Sequence, residues 1–135
     1  MSRHRLPTDP SQPAFIEKIE QEDGVRIVRL FGKINQTNVQ EGYEYIVALH
    51  RQGEDLKHHL LLDCACVENI DFSAVALLVM RMHDYFKAQR RIALVHCDER
   101  VRTYLGLADL EPSVQVFANE KEALAAFAEH DSCAK

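Results

Sequence analysis

From residue 14 onward the apolar side chains recur with a period that changes several times along the chain. Phe15, Ile16 and Ile19 form a first apolar cluster, and Val25-Arg26-Ile27-Val28-Arg29-Leu30-Phe31 alternates with the two-residue period of a strand. Asp23-Gly24 between them is a hairpin-turn dipeptide, so two antiparallel strands are expected. Gly32-Lys33-Ile34-Asn35 then leaves the strand. Thr37 or Asn38 caps a helix whose apolar positions Val39, Tyr43, Ile46, Val47 and Leu49 fall at helical spacing, and Gln52-Gly53 ends it.

The run Leu60-Leu61-Leu62 does not alternate, which predicts a strand covered on both faces, as at the centre of a sheet carrying helices. A loop over residues 63–71 follows, and Asp71 is placed to cap the next helix by accepting from the amides of Ser73 or Ala74. That helix is expected to reach about Gln89, with Arg91 to His96 as the next strand. Asp98 caps a short helix through Leu105, Gly106 stops it, and Val114 to Phe117 makes an edge strand. Asn119 caps a last helix over residues 120–128, with Ala123, Leu124 and Phe127 facing inward. The order β-β-α-β-α-β-α-β-α requires right-handed parallel crossovers. The expectation is an α/β domain with a mixed, mostly parallel sheet of about five strands and about four helices.

Composition narrows the function classes. A chain of 135 residues holds one domain with a real core, and 47% hydrophobic with 27% charged residues is the balance of a globular protein. The net charge of −5 argues against a general nucleic-acid binder. No apolar run reaches the roughly 18 residues of a membrane span, and the start of the chain lacks the apolar segment of a signal peptide, so a cytoplasmic location without direct membrane insertion is expected. Cys64, Cys66, Cys97 and Cys133 are scattered rather than spaced as a disulfide framework, which fits a reducing compartment. Residues 1–13, with Pro7, Pro10 and Pro13, read as a flexible leader, residues 14–129 as the domain and residues 130–135 as a tail.

Four stretches, in this order and spacing, resemble a STAS domain, the module of anti-sigma factor antagonists, sulfate-transporter tails and certain bacterial lipid-transport systems. Gly32-Lys33-Ile34-Asn35 is similar to the family's Gly-x-Leu-Asp, and Leu61-Leu62-Asp63-Cys64-Ala65-Cys66-Val67 to its strand ending in Asp. Residues 68–77, Glu-Asn-Ile-Asp-Phe-Ser-Ala-Val-Ala-Leu, resemble the signature x-x-Ile-Asp-Ser-Ser-Gly-x-x-Leu, and residues 101–110 resemble the late helix with its Leu-x-Leu-x-x-Leu ending. The match spans residues 15–127. It implies a non-enzymatic protein-binding domain with no cofactor, and a partner that is an anti-sigma factor or serine kinase of the ATP-binding fold. A transport-complex ATPase is the alternative partner, and a homodimer is left open. The family's usual phosphoacceptor is the first Ser or Thr after the signature Asp, where this chain has Phe72; Ser73 matches the second Ser, Ala74 replaces a Gly and Asn35 replaces an Asp.

The residues themselves give each position two readings. At about 100° per residue, Ala74, Val75, Leu78, Val79, Met82, Tyr85 and Phe86 share the core face of the helix, while Ser73, Ala76, Leu77, Met80, His83, Asp84 and Lys87 share the other. Met80 among polar neighbours is a docking candidate, since thioether side chains adapt to a partner, or is covered by another element. Phe72 either folds inward as a staple or stands outward as an anchor. The candidate partner-binding set is Phe72, Ser73, Ala76, Met80 and Asp84, with Ser73 the candidate for phosphorylation in a helix's first turn and Asp63 and Asp71 as motif acids. Asp63, Glu68 and Asp71 are explained by capping and solvation rather than catalysis, and Cys64-x-Cys66 lacks zinc-like spacing, so neither a catalytic nor a metal site is expected.

Overall fold

In the computed structural model, which describes residues 4–5, 13–22, 24–52, 58–81, 87, 90–107 and 114–133, the strands form one sheet in sequential order. They are β1 (His4–Arg5), β2 (Ile16–Glu22), β3 (Val25–Ile34), β4 (His59–Ile70), β5 (Ile92–Val95) and β6 (Val114–Phe117). β1–β2 and β2–β3 are antiparallel, while β3, β4, β5 and β6 run parallel. The helices are α1 (Gln36–Gln52), α2 (Phe72–Arg81), α3 (Glu99–Leu107) and α4 (Glu120–Cys133), so the expected α/β architecture is the observed one. Lys87 is again helical, and residues 82–86 and 88–89 of the expected long second helix lie outside the described residues.

Sequential parallel strands joined by right-handed crossovers put the three connecting helices on one face. Strand alternation therefore sorts the core in two. Val28, Leu30, Leu60, Leu62, Ile92, Leu94 and Val114 meet Val39 of α1, Ala74 of α2 and Val101 of α3 on one side. Val25, Ile27, Leu61, Ala93 and Val95 meet Ala123 and Phe127 of α4 on the other. Leu77, placed by the wheel on the outer face of α2, packs half-buried against the first cluster, as does Tyr104. Gly42 is buried where α1 crosses Phe15, and any side chain there would collide with the ring. Between α1 and the sheet an apolar cavity of about 30 Å³ is lined by Phe15, Leu30, Val39, Tyr43 and Leu62. It has room for about one water and nothing polar to hold it.

Several sequence expectations need correction. Residues 63–71 are not a loop: β4 continues to Ile70 because β3 itself continues past Phe31 to Ile34 and supplies a ladder partner. The first helix is capped by Asn35, not Thr37 or Asn38. Asn35 Oδ1 accepts from the amides of Thr37 at 3.0 Å and Asn38 at 3.1 Å, and Asn38 Oδ1 accepts in return from the Asn35 amide at 2.8 Å. This reciprocal pair satisfies free amides at both levels of the first turn. His4–Arg5, inside the expected leader, pair with Gln21 and Glu20 as a short edge strand. Gly106 lies inside α3, and α4 runs on through residues expected to be tail, to Cys133. The caps by Asp71, Asp98 and Asn119 are as read: their side chains accept from the amides of Ala74 (2.7 Å), Arg100 and Val101 (3.0 and 3.3 Å) and Glu122 (2.9 Å). Gly24 sits at φ 77° in the two-residue hairpin connection, whose other member, Asp23, lies outside the described residues.

Candidate functional site

β5 ends at Val95, opposite Asp63, while β4 runs on to Ile70. Residues 64–70 are therefore paired only with β3, and their ladder is interrupted by two register shifts, one between Arg29 and Phe31 and one between Gly32 and Lys33. The first shift places an extra residue in β4, and Asp63 answers for it. Its Oδ1 accepts from the Ala65 amide at 3.0 Å, and its Oδ2 accepts from Arg29 Nη1 at 3.0 Å. One carboxylate thus satisfies a bulge amide and anchors the strand.

Arg29 collects three acids on the α4 face: Glu20 at 2.9 Å, Asp63 at 3.0 Å and Glu120 at 3.3 Å. Burial alone would lower the guanidinium's proton affinity, but the hydrogen bonds it donates to Glu20, Glu120 and Asp63 raise it well above its ordinary value. The cation is permanent at any physiological pH. Asp63, read from sequence as a motif acid opening the loop over residues 63–71, belongs to a structural network on the sheet face opposite α2. Nearby, His59 is 1% exposed, stacks on Phe127 with ring centroids 4.7 Å apart, and accepts the Arg91 amide on Nδ1 at 2.9 Å.

At the far end of β4 the surface changes character. The two exposed large hydrophobic residues among those described, Phe31 at 41% and Phe72 at 42%, both lie at the carboxyl end of the parallel strands. Phe72 opens α2 and touches Tyr104 of α3 edge-on, with centroids 5.7 Å apart and planes at 74°. It therefore combines both sequence readings: one edge is held by the domain and the remainder faces solvent. Ser73 is exposed in the first turn of α2, and Ala76 is half-buried one turn on. Met80 lies in α2 by backbone position; its side chain and Asp84 lie outside the described residues. Phe31 escaped the sequence reading, although its place on the Val25–Ile27–Arg29 face, beyond the reach of α4, marks it as uncovered.

The overhang of β4 also walls a cleft of about 160 Å³ that occupies the place a longer β5 would fill, bounded by Val67, Asn69, His96, Arg100 and Val101. His96 leaves β5 at φ 60°, a left-handed conformation that His tolerates better than most side chains. Arg100 bridges the cleft mouth, donating to Asp98 at 2.9 Å and to Asn69 at 3.2 Å. The Arg100 contact and the amides of α3 hold the Asp98 carboxyl below its ordinary value. Among the described residues no group of three or more His, Cys, Asp or Glu is arranged to hold a metal, and no helix is long and apolar enough to cross a membrane.

A family model for the STAS domain matches residues 18–123. The chain belongs to the STAS domain family. No curated protein matches the sequence significantly. Solved structures share the fold: a Thermotoga maritima protein provisionally assigned as an anti-sigma factor antagonist is 20% identical, with a TM-score of 0.70 over 82% of this chain and 92% of that one. The phosphorylated form of the Bacillus cell-fate determinant SpoIIAA is 22% identical, with a TM-score of 0.60 over 80% of this chain and 96% of that one. This STAS domain also resembles part of the murine anion transporter Slc26a9, at 19% identity and a TM-score of 0.65, covering 95% of this chain and 22% of the transporter.

Proposed function

We propose that this STAS domain is a non-enzymatic regulatory module of the cytoplasm that docks a protein partner at the carboxyl end of β4 and along α2. Phe72 is the anchor, with Ser73, Ala76, Met80 and Asp84 completing the contact. The observation that carries this reading is Phe72 itself. A ring 42% exposed, oriented by Tyr104 at the start of a helix, offers a rigid aromatic contact at little ordering cost. An adjoining strand end paired on one side supplies main-chain hydrogen-bonding groups beside it.

The partner is an anti-sigma factor or serine kinase of the ATP-binding fold, as for the antagonists this domain resembles. A phosphate on Ser73 would meet free amides of the first turn but also the Asp71 carboxylate two residues away, which makes Ser73 a weaker switch than a hydroxyl at position 72. A second reading, an adaptor subunit on a transport-complex ATPase, is favoured by that same substitution. Phe72 stands where the family resemblance places the phosphoacceptor, and a structural subunit needs none.

Affinity capture with the tagged chain from its native cell, repeated with Phe72→Ser and Met80→Lys, tests the site. Loss of a common partner by at least about tenfold in both variants, with unchanged thermal unfolding, is expected. Wild-type capture by both would sink the reading. Phosphate added to Ser73 by a captured kinase and ATP, detected by mass spectrometry, separates the antagonist from the transport subunit.

A further inference from the structure

Two thiols meet where β5 stops and β4 continues. Cys64 is 7% exposed on the inner face of β4, one residue past the last β4–β5 pair, Asp63 with Val95. Cys97 follows β5 by two residues and is half-buried against the same core cluster. The left-handed turn at His96 brings it back toward β4. Cys97 donates to the Val95 carbonyl at 3.9 Å. An interaction with the Cys97 side chain, reinforced by burial, pushes the Cys64 thiol well above its ordinary range. Cys66, two residues on, is exposed and does not join the pair.

We propose that Cys64 and Cys97 are an oxidisable pair that closes to an intrachain disulfide, pinning the β5–α3 turn to the overhanging end of β4. Two cysteines on neighbouring strand ends, one and two residues past the last β4–β5 pair and packed in one core cluster, need little backbone movement to bond. The cleft beside them, of about 160 Å³ and lined in part by Cys64, gives a small reagent a route in. The oxidant is a low-molecular-weight disulfide. The thiolate of half-exposed Cys97 attacks one of its sulfurs, the reagent's S–S bond breaks, and one thiol leaves carrying a proton from solvent. Cys64 then attacks the Cys97 sulfur of the mixed disulfide, its proton passing to the second departing thiol. Two protein S–H bonds are lost, one S–S bond forms, and the reagent is reduced to two thiols. Because α3 carries Arg100 over the cleft and Tyr104 against Phe72, the crosslink would fix both contacts. In a reducing cytoplasm such a bond is transient, as signalling disulfides are.

The test is treatment of the folded, full-length chain with oxidised glutathione, followed by alkylation, proteolysis without reductant and mass mapping. A Cys64–Cys97 peptide that has lost two hydrogen masses is expected, in the unmodified chain and in a Cys66→Ser/Cys133→Ser chain alike. In the reduced protein Cys66 should alkylate at least about tenfold faster than Cys64. The proposal is overturned if Cys97 stops at the mixed disulfide with Cys64 still alkylatable, or if the dominant linkage joins Cys66 or Cys133. A Cys64–Cys97 bond that forms only after denaturation overturns it equally. None of these readouts depends on a partner, so the pair stands or falls separately from the docking site.

Discussion

β4 is two strands in one. Residues 60–63 are paired on both edges, with Leu60, Leu61 and Leu62 buried, and the segment is tied across the sheet by His59 and Asp63. Residues 64–70 pair on one edge, carry two register shifts and expose Ala65, Cys66, Glu68 and Asn69. The first half has strands on both edges; the second has β3 on one edge, with Cys64 and Ile70 in the core and Arg100 on Asn69. A domain that must both persist and bind can separate the tasks along a single strand: where lateral pairing stops, surface and unpaired main chain become available to something else.

The separation predicts a gradient of mutational cost. His59→Ala, just before the fully paired segment, removes a buried ring from its stack on Phe127 and the acceptor for the Arg91 amide; a loss of about 3 kcal/mol in chemical denaturation is expected. His59→Phe keeps the stack but not the acceptor and should lose about 1–2 kcal/mol. Equal effects would mean that the stacked ring contributes nothing. At the boundary, Asp63→Ala orphans the Ala65 amide and removes one of three partners of Arg29, with an expected cost of about 2 kcal/mol. Asp63→Asn should recover about half of this, because an amide oxygen still accepts from Ala65. Full recovery would assign the cost to the bulge alone.

Next to the overhang the cost should be least. Asp98→Ala removes the cap of α3 and an exposed ion pair with Arg100, together about 0.5–1 kcal/mol. Its pH dependence has a definite sign. The folded carboxyl lies below its ordinary value, so its contribution is present above the unfolded carboxylate range and is lost as pH falls through the folded value. The difference between wild type and Asp98→Ala should therefore vanish in acid and be complete at neutral pH. A difference that grows in acid would contradict the cap. If Asp98→Ala proved costlier than His59→Ala, the contrast between the two halves would fail.

The same contrast governs how much was legible in the sequence. The fully paired half announces itself through Leu60-Leu61-Leu62, and the caps Asp71, Asp98 and Asn119 through residue type and position. The overhang does not. Its bulges break the two-residue period, and Ala65-Cys66-Val67-Glu68-Asn69 has the polarity of a loop because one edge and part of one face meet water. Asn35 was hidden for a related reason: three neighbouring residues can cap, and the choice is made by the end of β3, where Lys33 offers its carbonyl to Asn38 Nδ2 at 2.9 Å. Arg29 with Glu120 and His59 with Phe127 join residues far apart in the chain, and no local pattern carries such a pairing. Of the candidate site, Phe72 and Ser73 could be located from sequence; Phe31, Tyr104 and the cleft under Arg100 needed the fold.

The two register shifts in the β3–β4 ladder have a further consequence, for solubility. A strand end free on one side is a template on which a second copy could add its own strand and begin a fibril. Irregular spacing of the ladder, together with Glu68 and Asn69 on the protruding end, denies a flat, in-register mate, since two copies meeting there would have to match each other's bulges. The irregularity that hid this segment in the sequence also makes strand addition by a second copy unfavourable.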